Sequence, residues 1–350
     1  MTALSKSRAS ALDELLREVC GKRFTAAVLR VERGGRVVFE RAYGTLDDTA
    51  GAAPVEPATR FDLASLTKLF VASAALRAVA AGTLALDAPL VEHVPEWAGG
   101  VRAEITLRRL LAHVSGMASG ADYRTLLGAN VTDFSLAQPL VAAPGERVVY
   151  SDLGFIALGT VLERSAGRSL ASVVGGTLAA FDAEATGYRP RPAEAGAIPA
   201  TECEPWRGRV RGFVHDEKAY LMGGVAGHAG LFGTAHDVAA LAEVYLAARN
   251  GRRNAALDAA LAREALAEQA ADSVLRRGLG WALKTTQENS CGTRMSRDAF
   301  GHTGFAGTSV WADPQRDLSV VLLSNAVYYG RGDLRDVRAA VCDAAVAAYE

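Results

Sequence analysis

The sequence is short of lysine, of patterned cysteine, and of long runs of any one kind. Only five lysines occur in 350 residues, and arginine supplies the rest of the 38 basic residues. The four cysteines, Cys20, Cys203, Cys291 and Cys342, show no Cys-x-x-Cys spacing. Scattered thiols of this kind fit a reducing cytoplasm rather than a disulfide framework. Formal net charge is -1 and no block of like charge occurs, which argues against nucleic acid as the main partner. The longest apolar run is broken by Arg77 and is rich in Ala rather than Leu, so no stretch reads as membrane-spanning. No Gly-Lys-Ser/Thr phosphate loop and no His-Glu-x-x-His pattern occur. His215, Asp216, His228 and His236 lack helical ligand spacing, and structural roles are expected for them rather than a metal site. Met1 to Arg23 spreads Lys6, Arg8, Asp13, Glu14, Arg17 and Glu18 through Leu and Ala. That pattern reads as an amphipathic surface helix instead of a secretion signal, and the expected location is the cytoplasm.

What is present is concentrated in one stretch. Phe61 to Phe70 holds Ser65-Leu-Thr-Lys68 and runs into an apolar segment, Leu69 to Leu76. Leu, Ala, Phe and Val without proline predict a buried helix beginning near Ser65. Residues three apart share a helix face, so Lys68 lies one turn beyond the Ser65 hydroxyl. A helix N-terminus adds free N–H groups and a positive field, and burial lowers the pKa of a lysine amine. A nucleophilic serine uses both. Ser-x-x-Lys alone arises by chance about once in a chain of this length. Here Lys68 is the only lysine between Lys22 and Lys218, and it sits in an apolar run where an unpaired ammonium is costly.

Half the residues are hydrophobic, enough for one large domain or two closely packed ones. Apolar runs on either side of Gly34-Gly35 predict a β-hairpin. From Ser65 to about Tyr245 the pattern is mainly helical. It includes a helix after Thr106 ended by Gly116, one over Leu158–Ser165 ended at Gly167, and one opened by Thr234. Tyr188 to Arg211 reads as an extended surface segment. Leu279–Lys284 is a candidate strand. Thr308–Ala312, the turn Asp313–Asp317 and Leu318–Asn325 form a hairpin, followed by a last helix over Leu334–Tyr349. Strands at both ends with helices between them imply one sheet built from both termini, with a helical insertion.

Two further stretches carry chemistry. In Tyr150-Ser151-Asp152 the tyrosine can act as a base if an ammonium stabilises its phenolate. In Gly301-His302-Thr303-Gly304-Phe305 a glycine-bearing strand allows close approach of backbone to a ligand. Each has a bland reading when taken alone, as a packed tyrosine or a strand-edge turn. Ser-x-x-Lys, Tyr-x-Asp and His-Thr-Gly in this order resemble the serine β-lactamase and penicillin-binding-protein superfamily. The resemblance is to the class C β-lactamase-related branch, with its carboxylesterases, D-aminopeptidases and D-alanyl-D-alanine carboxypeptidases. Leu110 to Met117, Gly230 to Asp237 and Trp311 to Asn325 resemble further family segments, so it runs from about Thr25 to Tyr349.

The resemblance implies an α/β (α+β) fold of the β-lactamase/transpeptidase kind. Residues 1–60 and 246–350 would form the sheet domain, 61–245 a mainly helical domain, and the active site would lie between them. It makes Ser65 the acylated nucleophile, with Lys68 and Tyr150 sharing the base work. The Ser65 and Phe305 backbone N–H groups would form the oxyanion hole, and Asp152, His302, Thr303 and Gly304 would line the substrate side. No cofactor is implied. Asp152 stands where the family usually has Asn, and a carboxylate there holds Lys68 protonated, which moves the base role toward Tyr150. His302 stands where Lys is usual, which weakens recognition of a substrate carboxylate. The expected function is a serine hydrolase acting on a small ester or amide, esterase-like. The alternatives are a D-amino-acid peptidase or D-Ala carboxypeptidase or weak β-lactamase, an acyltransferase, and a non-catalytic penicillin-binding-like sensor. Composition carries no signal for oligomeric state.

Overall fold

The computed structural model describes residues 3–272, 274, 276–286 and 289–349, with backbone alone for 3–9. Met1 and Thr2, at the head of the expected first helix, lie outside the described residues. So do residues 273, 275, 287 and 288, within the span of the resemblance.

An antiparallel sheet of eight strands is drawn from both ends of the chain. The strands are β1 (Ala26–Arg33), β2 (Arg36–Gly44), β3 (Ala270–Ala271), β4 (Arg276–Arg277), β5 (Ala282–Leu283), β6 (Phe300–Thr303), β7 (Ser309–Asp313) and β8 (Leu318–Ser324), in the order β2-β1-β8-β7-β6-β5-β4-β3. The first hairpin turns at Gly34 and Gly35, both with positive φ, as the Gly-Gly pair predicts. The candidate strand Leu279–Lys284 is paired only over Ala282–Leu283.

Both faces of the sheet are covered, which explains why every residue of β8 is buried and its sequence is apolar but for Ser319 and Ser324. Ala27, Leu29, Val31, Val320 and Leu322 pack with Leu12, Leu16, Val337 and Val341, from the helices Ala3–Val19 and Arg335–Tyr349. Ala26, Val28, Val321 and Leu323 point the other way, into the core shared with Val238, Leu241 and Tyr245 of the helix Ala235–Arg249. Thr234 caps that helix by accepting from the Asp237 N–H at 3.2 Å.

The helical part is built around Thr67–Ala80, whose residues 67–76 are all buried. A helix apolar all round is stable only when surrounded. Its neighbours include Asp152–Ala166 and Leu170–Ala180. The former is longer than Leu158–Ser165, because Ser151 caps it and the Gly167 left-handed turn ends it. The helix after Thr106 spans only Leu107–Leu111, since His113 already adopts a φ of 58°. Tyr188–Arg211 is not simply a surface segment. Ile198, Ala200, Thr201, Glu204 and Val210 are buried, and Cys203–Glu204 pairs with Gly208–Arg209. No helix among the described residues is long and apolar enough to cross a membrane.

Candidate active site

Ser65 lies in a single tight helical turn, Ala64–Leu66, that leads directly into Thr67–Ala80. Ala64, just before it, holds a φ of 46°, a strained conformation for a residue with a Cβ. Neighbours fix that turn. The buried Asp62 carboxylate accepts from Ala64 N–H at 2.8 Å and from His215 N–H at 2.7 Å. Leu63 N–H donates to Leu231 O at 2.9 Å, and Leu231 N–H to Thr67 Oγ1 at 3.2 Å. A small sheet of Phe61–Asp62, Leu231–Gly233 and Gly187–Tyr188 thus ties the serine turn to a Gly-rich loop, residues 223–233. The glycines of that loop serve close packing: a Cβ on Gly227 would sit 1.9 Å from Phe155 O.

Lys68 Nζ donates to Ser65 Oγ at 2.9 Å and to His228 O at 3.1 Å, and meets Asp152 Oδ1 at 2.9 Å. The ammonium is fully buried. Burial pushes its pKa down, as expected from the sequence, but Asp152 and Tyr150 outweigh burial and raise it above the ordinary value. Lys68 is therefore held as a cation, and the lowered pKa expected from burial alone is corrected. Asp152 is pushed up by burial and pulled down more strongly by Lys68, His228 and Lys218, so it stays ionised.

Tyr150 lies among cations and rings. Lys68 Nζ is 5.0 Å from its ring centroid and the Arg277 guanidinium 5.2 Å. The His113 ring lies tilted against it at 4.5 Å between centroids, and His302 lies 6.0 Å away. The His113 side chain reaches beyond its own helix end. Its Nδ1 accepts from Ser151 N–H at 3.0 Å, across 38 residues, and so holds the Tyr-x-Asp turn. Burial lowers the His302 pKa to about 3, with Arg277 and Lys68 adding to the effect. His302 is neutral, with Nδ1–H donating to Thr303 O at 2.8 Å.

The third stretch meets the serine turn at a glycine. A Cβ on Gly304 would lie 2.1 Å from Thr308 Oγ1 and 2.8 Å from Leu63 O. Thr308 Oγ1 itself donates to Leu63 O at 3.0 Å. Buried Arg338, from the last helix, donates to Gly304 O at 2.8 Å and Thr308 O at 3.1 Å. The Phe305 side chain is exposed, with Arg331 over its ring. Ser65, Tyr150, His302, Thr303, Gly304 and Phe305 all line one pocket of about 560 Å³, together with Trp311. Asp152 stands behind Lys68, bonded to it instead of lining that pocket. Of the other tryptophans, Trp97 and Trp281 are core, and Trp206 stacks on Tyr123 at a separate cleft.

Sequence reasoning missed Arg277, Lys218, Arg338 and the strained Ala64. Arg277 lines the same pocket, is 7% exposed, and has no carboxylate within ion-pair distance among the described residues. It places a cation in the pocket beside neutral His302. Lys218 was visible as one of five lysines, next to His215-Asp216. Two groups of donors could be imagined around a metal, Asp152/Asp216/His228 and Glu202/Glu204/His215. Cations already occupy both: Lys68 and Lys218 in the first, Arg207 and Arg331 in the second.

A serine bonded to a buried lysine, with a tyrosine at hand and a strand-edge turn against the serine backbone, on this sheet-and-helix frame, defines a serine hydrolase of the β-lactamase/transpeptidase fold. The chain belongs to the Beta-lactamase family, whose model matches residues 12–344. It is 32% identical to Esterase EstB of Burkholderia gladioli, over 91% of this chain and 89% of that protein. It is 27% identical to a putative D-alanyl-D-alanine carboxypeptidase of Escherichia coli (strain K12), over 91% and 82%. Among solved structures, EstCE1, a hydrolase with promiscuous acyltransferase activity, shares the fold at a TM-score of 0.78 and 22% identity, over 99% of this chain and 100% of that one.

Proposed function

We propose that this protein is an esterase that cleaves small esters through an acyl-enzyme on Ser65. The observation that carries the reading is the Ser65–Lys68 bond of 2.9 Å, with Lys68 held as an ammonium. A lysine that keeps its proton orients and polarises rather than abstracts, so Tyr150 takes the Ser65 proton and passes it to the leaving alcohol. The N–H groups of Ser65 and Phe305 receive the oxyanion, supported by the close approach of Gly304 to the serine turn. His302 and Thr303 contact the substrate. Asp152 fixes Lys68. The resemblance to an enzyme named as an esterase supports the choice of substrate class.

The same reading divides the chain into 1–60 with 246–350, which hold all eight strands of the large sheet, and 61–245, which hold the serine helix. The substrate is a small molecule, and near-zero net charge supports no role for nucleic acid. Four free thiols support a cytoplasmic location.

The test is intact-protein mass spectrometry with a short-chain p-nitrophenyl ester, alongside turnover. Ser65→Ala is expected to abolish the acyl adduct and lower kcat/KM by about 10³-fold or more. Full turnover by that variant would sink the assignment.

One observation favours a second reading, a peptidase acting on substrates that end in a carboxylate. Arg277 offers the pocket a buried guanidinium that makes no ion pair at bonding distance among the described residues, with Asp272 acting on it from farther off. On that reading Arg277→Leu raises KM for carboxylate-bearing acyl donors and leaves neutral esters unaffected. Equal effects on both classes would remove it.

A further inference from the structure

The buried groups that acyl transfer does not itself use form one chain running away from the serine. Lys68 meets Asp152 Oδ1 at 2.9 Å, and Lys218 Nζ meets the second oxygen, Oδ2, at 3.3 Å. Lys218 continues to Asp216 Oδ2 at 3.1 Å, and Asp216 Oδ1 accepts from His228 Nε2–H at 2.7 Å. The loop closes on itself, because the His228 carbonyl accepts from Lys68. Two ammoniums thus face two carboxylates, in a region where charge is poorly screened. An amide at position 152 would bring no charge into this space. A carboxylate brings one, and a second cation is needed if Lys68 is not to neutralise it alone.

We propose that Lys218 is a positioning residue for the catalytic base: by saturating the far oxygen of Asp152 it limits that carboxylate's hold on Lys68, and so sets the pH at which Ser65 loses its proton. This rests on the reading of Ser65 as an acylated nucleophile. The other titratable groups around the pair are accounted for. Tyr150 and Lys68 face Asp152 from their own segments, and His113 reaches them across the Tyr150 ring. His228 and Asp216 close the far side, with Asp62 behind Asp216. His302 and Arg277 act from the sheet. Among these only Lys218 bridges both carboxylates. The sign follows from charge alone. Removing a nearby cation makes Lys68 and Tyr150 each hold their protons more tightly.

The experiment is the pH dependence of kcat/KM on p-nitrophenyl butyrate. For Lys218→Met the acid limb is expected to move up by about one to two pH units, with activity recovered at alkaline pH. Lys218→Arg, which keeps the charge, should stay at the wild-type position. Adding Asp152→Asn to Lys218→Met should bring the limb back down, since the charge Lys218 offsets is gone. A Lys218→Met profile that only scales down at every pH, or a Lys218→Arg limb displaced as far, would overturn the proposal. If Lys218→Met does not fold, Asp216→Asn carries the test. It keeps the shape and the bond to Ala219 N–H, and should move the limb down; an unmoved limb refutes the proposal. Labelling of Ser65 by a serine-directed phosphonate separates the two claims. Its failure in the wild type removes the hydrolase reading, whereas intact labelling with unmoved limbs removes only the role of Lys218.

Discussion

At the scale of single residues, the site is governed by what each buried charge is set against. Ser65, Lys68 and Tyr150 were legible because a motif places them at fixed spacing on a helix and a turn. Lys218 and Arg277 were not, because their partners come from elsewhere in the chain, and neither spacing nor composition reports such pairing. Asp152 acts on Lys68 as the sequence implies, holding it protonated, and with Tyr150 it outweighs the burial that lowers the lysine pKa. His302 gives a stability test. Its pKa in the folded protein, about 3, lies below the unfolded value of roughly 6.5, so the unfolded chain binds the proton first. Stability should therefore fall as pH drops below about 6.5. This one group contributes a loss of about 2 kcal/mol between pH 7 and pH 5. Urea unfolding of His302→Gln at the two pH values should show a smaller difference than the wild type. An equal difference would mean that His302 is not buried neutral.

At the scale of elements, the proposed function makes activity depend on the approach of the β6–β7 turn to the serine turn. Gly304 is there because no side chain fits between Thr308 Oγ1 and Leu63 O. Gly304→Ala is expected to push the turn away and cut kcat by about 10² or more, with the melting temperature much less affected. A variant with wild-type kcat would show that the turn plays no part in stabilising the oxyanion. Arg338→Met tests the same contact from the other side, since it removes both bonds to Gly304 O and Thr308 O. It should lower kcat about tenfold or more and change KM little, measured by the burst and steady-state phases on one ester. Element types were well read where capping was explicit. Thr106, Thr234 and Gly167 act as expected. Ends were misjudged where a tertiary bond stops or extends a helix, as at His113, whose ring is committed to Ser151.

At the scale of the whole molecule, the sheet is closed by residues from both ends of the chain. Buried Asn325 accepts from Thr25 N–H at 3.1 Å and Ala26 N–H at 3.0 Å. Its amide donates to Thr25 Oγ1 at 2.8 Å and to Ala200 O at 2.7 Å. Asn325→Leu leaves those groups buried without partners and should cost about 3 kcal/mol or more in denaturant unfolding. A loss within about 0.5 kcal/mol would show that the closure does not depend on it. That a sheet spans both termini was legible in the placement of the strand patterns. Its order was not, because β1 pairs with β8 through contacts that no local pattern encodes.

The pairing of β1 with β8 also has a consequence in time. Thr25 and Asn325 lie 300 residues apart, so a chain emerging from the ribosome displays β1 with one edge open until nearly all of it has been made. At about 5–20 residues per second that wait lasts on the order of 15–60 s. For that interval the first hairpin must avoid pairing with other nascent chains. On β1 itself Arg30, Glu32 and Arg33 place charge along that edge, and charge on an open strand edge disfavours pairing with a neighbour.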